Sequence, residues 1–267
     1  MPKPKMMRCL LAGVGAFLLL CTAMHCHRPP APATNSPARP EVSVGDNSRN
    51  SLDWPGTYIG TVPTSDGNNL VTGLQLRKDG TFRLETTPEG GTAQPVVETG
   101  NFEWDRDGGG IKLLGIDSTN RPIYYQVGEN HLRQLDLVNQ SIEGQLTDRY
   151  HLAKDTTGLN GTTWQLKTLD GTPVDIGKNQ PTLTFTILGN GLAGLAACNR
   201  YRTEYAIVAE GSIDIPHPIA TKMACPELAT EQQFFEALEG ASSYEFMEDN
   251  LVLRDTAGAI VATFSPM

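Results

Sequence analysis

The sequence predicts a mainly β protein of two folded segments behind an exported leader, and three observations carry that prediction. The chain has 267 residues, more than the roughly 100–200 that one domain usually holds. Gly occurs 27 times, and Val, Ile and Thr recur in short alternating runs between Gly, Asn and Asp turns, the pattern of half-buried strands. Apolar residues at helical spacing form a single clear stripe, late in the chain. The formal net charge of −9 repels phosphate backbones, which sets nucleic acid aside as a partner and fits a soluble, acidic surface.

Met1–Arg8 carries three basic residues and no acid, and Cys9–Met24 then runs without charge. A charged start before an apolar stretch of this length has the form of a secretory signal and is short for a transmembrane span. Residues 1–27 therefore read as a signal peptide or lipoprotein leader, with an uncleaved anchor as the other reading. Cys21 and Cys26 are the candidate lipidation sites. Leu20 and His25 precede them, where bacterial lipoproteins usually carry Gly, Ala or Ser, and Ala31-Pro32-Ala33 offers a poorer site for an ordinary peptidase. Residues 28–50 hold five prolines and almost no large apolar side chain. They cannot bury enough surface to fold and read as an extended Pro-rich linker. The expected location is the bacterial envelope, facing the periplasm, with a lipid anchor in the outer membrane. His25-Cys26-His27 offers ligands that suit copper or zinc, but three adjacent residues do not surround an ion, so no cofactor is expected.

Residues 51–154 read as short strands. Gly56–Val62 alternates. Thr72–Leu76 and Thr81–Glu85 flank Lys78-Asp79-Gly80, a strong hairpin signal. Further strands are predicted at Val96–Trp104, Gly110–Leu114, Pro122–Val127, His131–Leu137 and Gln145–Leu152. About eight evenly spaced strands suggest a closed barrel or a sandwich, and closure would remove exposed edges. Several stretches resemble the N-terminal domain of the copper-resistance lipoprotein family NlpE. They are Gly56-Thr57-Tyr58-Ile59-Gly60 leading to Pro63, Leu74–Phe82, Tyr125–Asn130, Leu135-Asp136 and Ile142–Leu146. The resemblance implies a small lipocalin-like β-barrel tied to envelope stress and surface sensing. It breaks at one point: the family's Cys-x-x-Cys after that proline is replaced, with Thr64 and Gly67 at the cysteine positions. Without thiolates there, copper or redox chemistry does not carry over.

Residues 158–267 read as strands around one helix. The segment opens with Leu159–Leu166, and Leu169–Pro173 is a turn between strands. Further strands are predicted over Thr182–Leu188, Ile207–Ile213, Ser243–Phe246, Leu251–Leu253 and Ala259–Phe264, with Gly194–Tyr201 entering the first cysteine stretch. Pro226–Glu239 is the helix, with Pro226 at its first position, Gly240 as its stop, and Leu228, Phe234, Phe235 and Leu238 as its apolar face. Cys198 and Cys225 are the two cysteines inside a folded segment, and an exported chain meets an oxidising compartment, so they are expected to form a disulfide. Gly161–Leu166, Cys198-Asn199-Arg200-Tyr201, Ile219–Pro226, the Glu231–Leu238 helix and the closing strands resemble the META domain family, which includes the heat-shock protein HslJ. The resemblance implies a strand-rich α+β domain with the helix packed on the sheet and no catalytic apparatus. Ala197 stands where that family usually has Gly, and the local backbone is expected to differ slightly. Asn199, Arg200, Tyr201 and Met223 have two readings: a binding surface, or bracing in which Asn199 and Arg200 bond loop carbonyls while Tyr201 and Met223 pack beneath the helix.

No serine lies in a nucleophile-elbow context, and Asp105 and Asp107 lack calcium-loop spacing. The expected role is therefore non-catalytic, in envelope stress, through contacts with envelope proteins. The alternatives are binding of a small hydrophobic ligand or lipid in the barrel, and an unrecognised envelope enzyme.

Overall fold

The computed structural model describes residues 46–91, 94–119 and 121–267, so the leader with Cys21, Cys26 and the His25-Cys26-His27 tripeptide lies outside the described residues. Eight antiparallel strands form the first domain: β1 (Gly56–Pro63), β2 (Asn69–Leu76), β3 (Thr81–Pro88), β4 (Val96–Trp104), β5 (Gly110–Leu113), β6 (Tyr124–Gly128), β7 (His131–Gln134) and β8 (His151–Lys154). Each pairs with the next, and β8 returns to β1 through Tyr58↔Lys154 and Ile59↔Ala153, closing a barrel. Alternation decides what faces inward. Tyr58, Leu74, Phe82, Leu84, Leu132 and Leu152 fill the lower interior and are almost fully buried. Each such side chain contributes about 1.5–3 kcal/mol of hydrophobic stabilisation.

The base of the barrel is closed by residues expected in the linker. Ser48–Ser51 forms one helical turn, α1, capped reciprocally by Asn47 and Asn50. Ser48 Oγ donates to the Val127 carbonyl at 2.6 Å. Trp54 packs edge-on against Phe102 and Trp104, at 5.7 and 5.3 Å between ring centres. The predicted strand Gln145–Leu152 begins only at His151, because Thr147–Arg149 is a 3-10 turn. There the Thr147 hydroxyl bonds the carbonyls of Gly144 and Ile142, a local side-chain bond that competes with the strand ladder.

The second domain is a single antiparallel sheet. Its strands are β9 (Thr163–Leu169), β10 (Thr172–Pro173), β11 (Thr182–Phe185), β12 (Gly191–Leu195), β13 (Arg200–Glu204), β14 (Ile219–Ala220), β15 (Ser243–Met247), β16 (Asn250–Arg254) and β17 (Ile260–Pro266). The order is β14-β13-β12-β11-β9-β17-β16-β15, with β10 on β9. One helix, α2 (Leu228–Gly240), lies on it through Phe234, Ala237 and Leu238, buried among Tyr201, Leu166 and Phe264. The helix starts later than Pro226, after Glu227 as N-cap, and Gly240 is its last residue. Leu228 is exposed, so the apolar face begins one turn further on. Ile207–Ile213 is not a strand. Ser212 N bonds Ala209 O, which folds the stretch into a turn, leaving only isolated bridges at Ala206↔Asp214 and Ser212↔Ser243.

The two domains meet along the outer face of β1 and β2. Strand β11 stops at Phe185, and Ile187 and Leu188 continue onto the barrel wall, both buried. They fit because β2 has Gly73 there; a Cβ would lie 2.3 Å from Ile187 Cγ2 and 2.8 Å from Leu188 Cδ2. Thr57 Oγ1 donates to Asn160 O at 2.7 Å, and Gln75 Nε2 donates to Gly161 O at 2.9 Å. Gly161 has φ +77, and a Cβ there would meet the Gln75 amide at 2.7 Å, so both its backbone and the close approach require glycine. Gly73→Val is expected to cost about 1–3 kcal/mol by overpacking this seam, read as a lower urea midpoint with each domain's secondary structure retained in circular dichroism.

Candidate functional site

Two places gather chemically active side chains: the cysteine loop of the second domain and the open mouth of the barrel. In the first, Cys198 and Cys225 are joined by a disulfide with Cα atoms 5.8 Å apart. Cys198 is buried, so the bridge ties an interior loop to the entrance of α2. Glu227 stands beside the two sulfurs, the one crowd of metal-type ligands among the described residues. Bonded sulfurs offer no thiolate, so the trio does not fit a metal ion.

Glu231 organises this loop. It sits on the buried face of α2, and its carboxylate accepts from Cys198 N at 3.2 Å, Asn199 N at 2.8 Å and Asn199 Nδ2 at 2.8 Å. The Asn199 side chain also donates to Met223 O, while its Oδ1 accepts from Thr221 Oγ1 and Met223 N. One asparagine thus bonds both cysteine stretches to the helix. Tyr201 packs edge-on against Phe234 and Phe235 at 5.6 Å and donates to Thr182 O; burial pushes its phenol well above the usual tyrosine range. Asn199 and Tyr201 are 2% and 4% exposed. Their hydrogen bonds run inward, so neither belongs to a binding surface. Arg200 is exposed, and Met223 is exposed rather than packed beneath the helix. The four residues do not form one patch.

Ala197 holds φ +73. This is the left-handed form that glycine adopts freely. For an L-residue this costs about 1–2 kcal/mol. Ala recovers roughly the same amount through its buried methyl and a less flexible unfolded chain. Ala197→Gly is therefore expected to be neutral within about 0.5 kcal/mol, whereas Ala197→Val is expected to cost more than about 2 kcal/mol, because a β-branched side chain is excluded from that region. Chemical denaturation of the two variants checks both values.

The barrel mouth encloses a cavity of about 710 Å³. Val62, Pro63, Leu70, Val96, Leu137 and Ile142 give it an apolar rim, and Thr72, Thr86, Tyr125 and Gln134 lie deeper. Arg121 forms an ion pair with Glu98 at its side. Thr64 also lines it, but the Thr64 hydroxyl and the Asn68 amide are engaged with Asp66 in a local turn. His131 and His151 stack at 5.3 Å, and His217 pairs with exposed Glu239. None of these rings is hydrogen-bonded to a serine, threonine or cysteine among the described residues. No helix among the described residues is long and apolar enough to cross a membrane.

The fold and these sites define a two-module β protein, a small closed barrel carrying a helix-backed sheet braced by a disulfide. Residues 58–145 match the NlpE N-terminal domain family, and residues 157–267 match the META domain family. The chain thus joins an NlpE N-terminal domain to a META domain. A candidate lipoprotein from Shewanella oneidensis is similar at 36% identity over 42% of this chain and 98% of its own, with a TM-score of 0.37. The Cpx pathway activator NlpE of Escherichia coli is similar at 15% identity over 80% of this chain and 92% of its own, with a TM-score of 0.28. No functionally curated protein matches the chain.

Proposed function

We propose that this is a non-catalytic protein of the Gram-negative cell envelope that takes part in the response to envelope stress, with the barrel as its sensing module. The observation that carries the reading is the pairing of an NlpE-type barrel with a META domain. The barrel has Thr64 and Gly67 where copper-binding thiols would stand, which favours sensing through contacts over metal handling. The protein faces the periplasm and is held at the outer membrane by lipid on Cys21 or Cys26. Deleting the gene is expected to change the output of an envelope-stress reporter, and the intact gene is expected to restore it. A reporter indifferent to deletion under surface, detergent and copper stress would exclude the role. Mass spectrometry of the mature N-terminus decides the anchor: a lipid-modified cysteine supports it, and a free N-terminus elsewhere excludes it.

The open cavity at the barrel mouth favours a second, compatible reading, that the barrel holds a small hydrophobic ligand. Its volume lies within the range of small-molecule sites, and it combines apolar walls with a few convergent polar groups.

A further inference from the structure

The polar groups inside the cavity have a particular arrangement. Thr72 and Thr86 are direct partners across β2 and β3. Tyr125 and Gln134 are direct partners across β6 and β7. In a closed barrel of eight sequential strands, these two pairs stand on opposite walls. They make a polar layer across the interior, with Leu74, Leu84, Val127 and Leu132 below it, each two residues further down its strand and buried. The four residues are 3%, 8%, 2% and 7% exposed. Yet the Tyr125 hydroxyl, the Gln134 amide and the Thr86 hydroxyl have no protein hydrogen-bond partner among the described residues, and Thr72 reaches only Leu70 O, at 3.4 Å. None of these polar atoms is sealed away from the cavity. They are open to it and pair with whatever fills it, water or the head of a ligand.

We propose that the cavity binds an uncharged single-chain amphiphile, its hydroxyl- or amide-bearing head hydrogen-bonded to the Thr72, Thr86, Tyr125 and Gln134 layer and its chain lying against the apolar rim. The proposal rests on the ligand reading above and specifies the ligand. Hydroxyl and amide groups both donate and accept, so a head with both capacities satisfies the layer. A charged head has no free counter-charge there. Arg121 is already paired with Glu98, and the Asp136 carboxylate accepts from Val138 N and Gln140 N in its own turn. An anion drawn to Arg121 would strand Glu98, and a cation drawn to Glu98 would strand Arg121, at the cost of an unpaired, half-buried charge. Burial raises the Tyr125 phenol to about 12, so it remains a donor at neutral pH. Above the layer, Val96 and Leu137 are 61% and 49% exposed, apolar surface that a chain would cover.

The test uses the full mature chain and N-phenyl-naphthylamine, a neutral apolar dye whose fluorescence rises on burial. Monolaurin, laurate and dodecylamine then compete for it. Monolaurin is expected to displace the dye at least about tenfold better than either charged competitor, the effect of one to two buried hydrogen bonds. The double variant Thr86→Val/Gln134→Leu is expected to keep dye binding, lose that preference, and melt at the same or a higher temperature. Laurate or dodecylamine displacing as well as monolaurin overturns the choice of ligand and leaves the ligand reading standing. Failure of the dye and of all three amphiphiles to bind overturns both. A variant that loses stability but keeps the preference shows that the layer is structural and also overturns the proposal.

Discussion

Glu231→Ala is expected to destabilise the second domain by about 3–5 kcal/mol, the largest effect of any single substitution outside the hydrophobic core. The residue is 7% exposed, and its two oxygens accept three hydrogen bonds from Cys198 N, Asn199 N and Asn199 Nδ2. Bonds to a charged acceptor contribute more than neutral ones, and the loss strands donors that water does not reach. Glu231→Gln keeps the volume and isolates the chemistry. It turns one acceptor into a donor facing a donor, and about 2–3 kcal/mol is expected. Glu236, exposed one turn later on the same helix, is the comparison, and its alanine variant should fall within about 0.5 kcal/mol of wild type. Thermal melts should show a fall on the order of 10–20 °C for Glu231→Ala. A melting point within two degrees or so of wild type, on the same stability scale, would mean that the cysteine loop holds its shape without the carboxylate.

The second large effect is loss of the Cys198–Cys225 bridge. The cysteines are 27 residues apart, and closing a loop of that length stabilises the fold by about 3–4 kcal/mol in the chain-entropy model. Cys198→Ala/Cys225→Ala is the cleaner variant, because serine would place a hydroxyl in a buried position. Reduction of the wild-type protein should reproduce its urea midpoint. The bridge and Glu231 hold the same loop, so their losses should not add. A double-mutant cycle is expected to give a coupling of about 1 kcal/mol or more. Strict additivity would show that the two act on separate parts of the domain.

These effects mark what the sequence made legible. The strand-and-turn rhythm of residues 51–154 announced eight strands, and the structure closes eight into a barrel. Lys78-Asp79-Gly80 announced its hairpin because Gly80, at φ +83, supplies a conformation few residues adopt cheaply. The stripe of Phe234 and Leu238 announced the helix. Local competition hid other elements: Thr147 bonds its own backbone, and Ala209–Ser212 turns where apolar alternation suggested a strand. Ser48 and Arg49 looked like tether because their role depends on bonds to Val127 O and Gly108 O, distant in sequence.

The sites were less legible than the fold. Glu231 lies three residues before Phe234 and seven before Leu238, on the buried stripe, and an acid in that register is itself a signal of a buried acceptor. For Asn199 and Tyr201 the sequence left a surface and a bracing reading open; the bonds of Asn199 to Glu231 and of Tyr201 to Thr182 O give both the bracing role. The polar layer was invisible for a different reason. Thr72, Thr86, Tyr125 and Gln134 each occupy an ordinary inward position, and only barrel closure brings β2–β3 opposite β6–β7. Gly73 carried no signal in the sequence, because Ile187 and Leu188, which fill the space above it, lie more than a hundred residues away.

The central proposal is that this chain serves envelope sensing with a neutral amphiphile held in its barrel, its Cys198–Cys225 pair structural and its barrel free of copper chemistry. Native mass spectrometry of the full mature chain, released from the envelope in mild detergent without reductant, tests it most directly. The predicted result is one non-covalently bound neutral amphiphile per chain, an intact Cys198–Cys225 bridge and no copper. A chain recovered bare, or carrying stoichiometric copper with its two META-domain cysteines reduced, would contradict it.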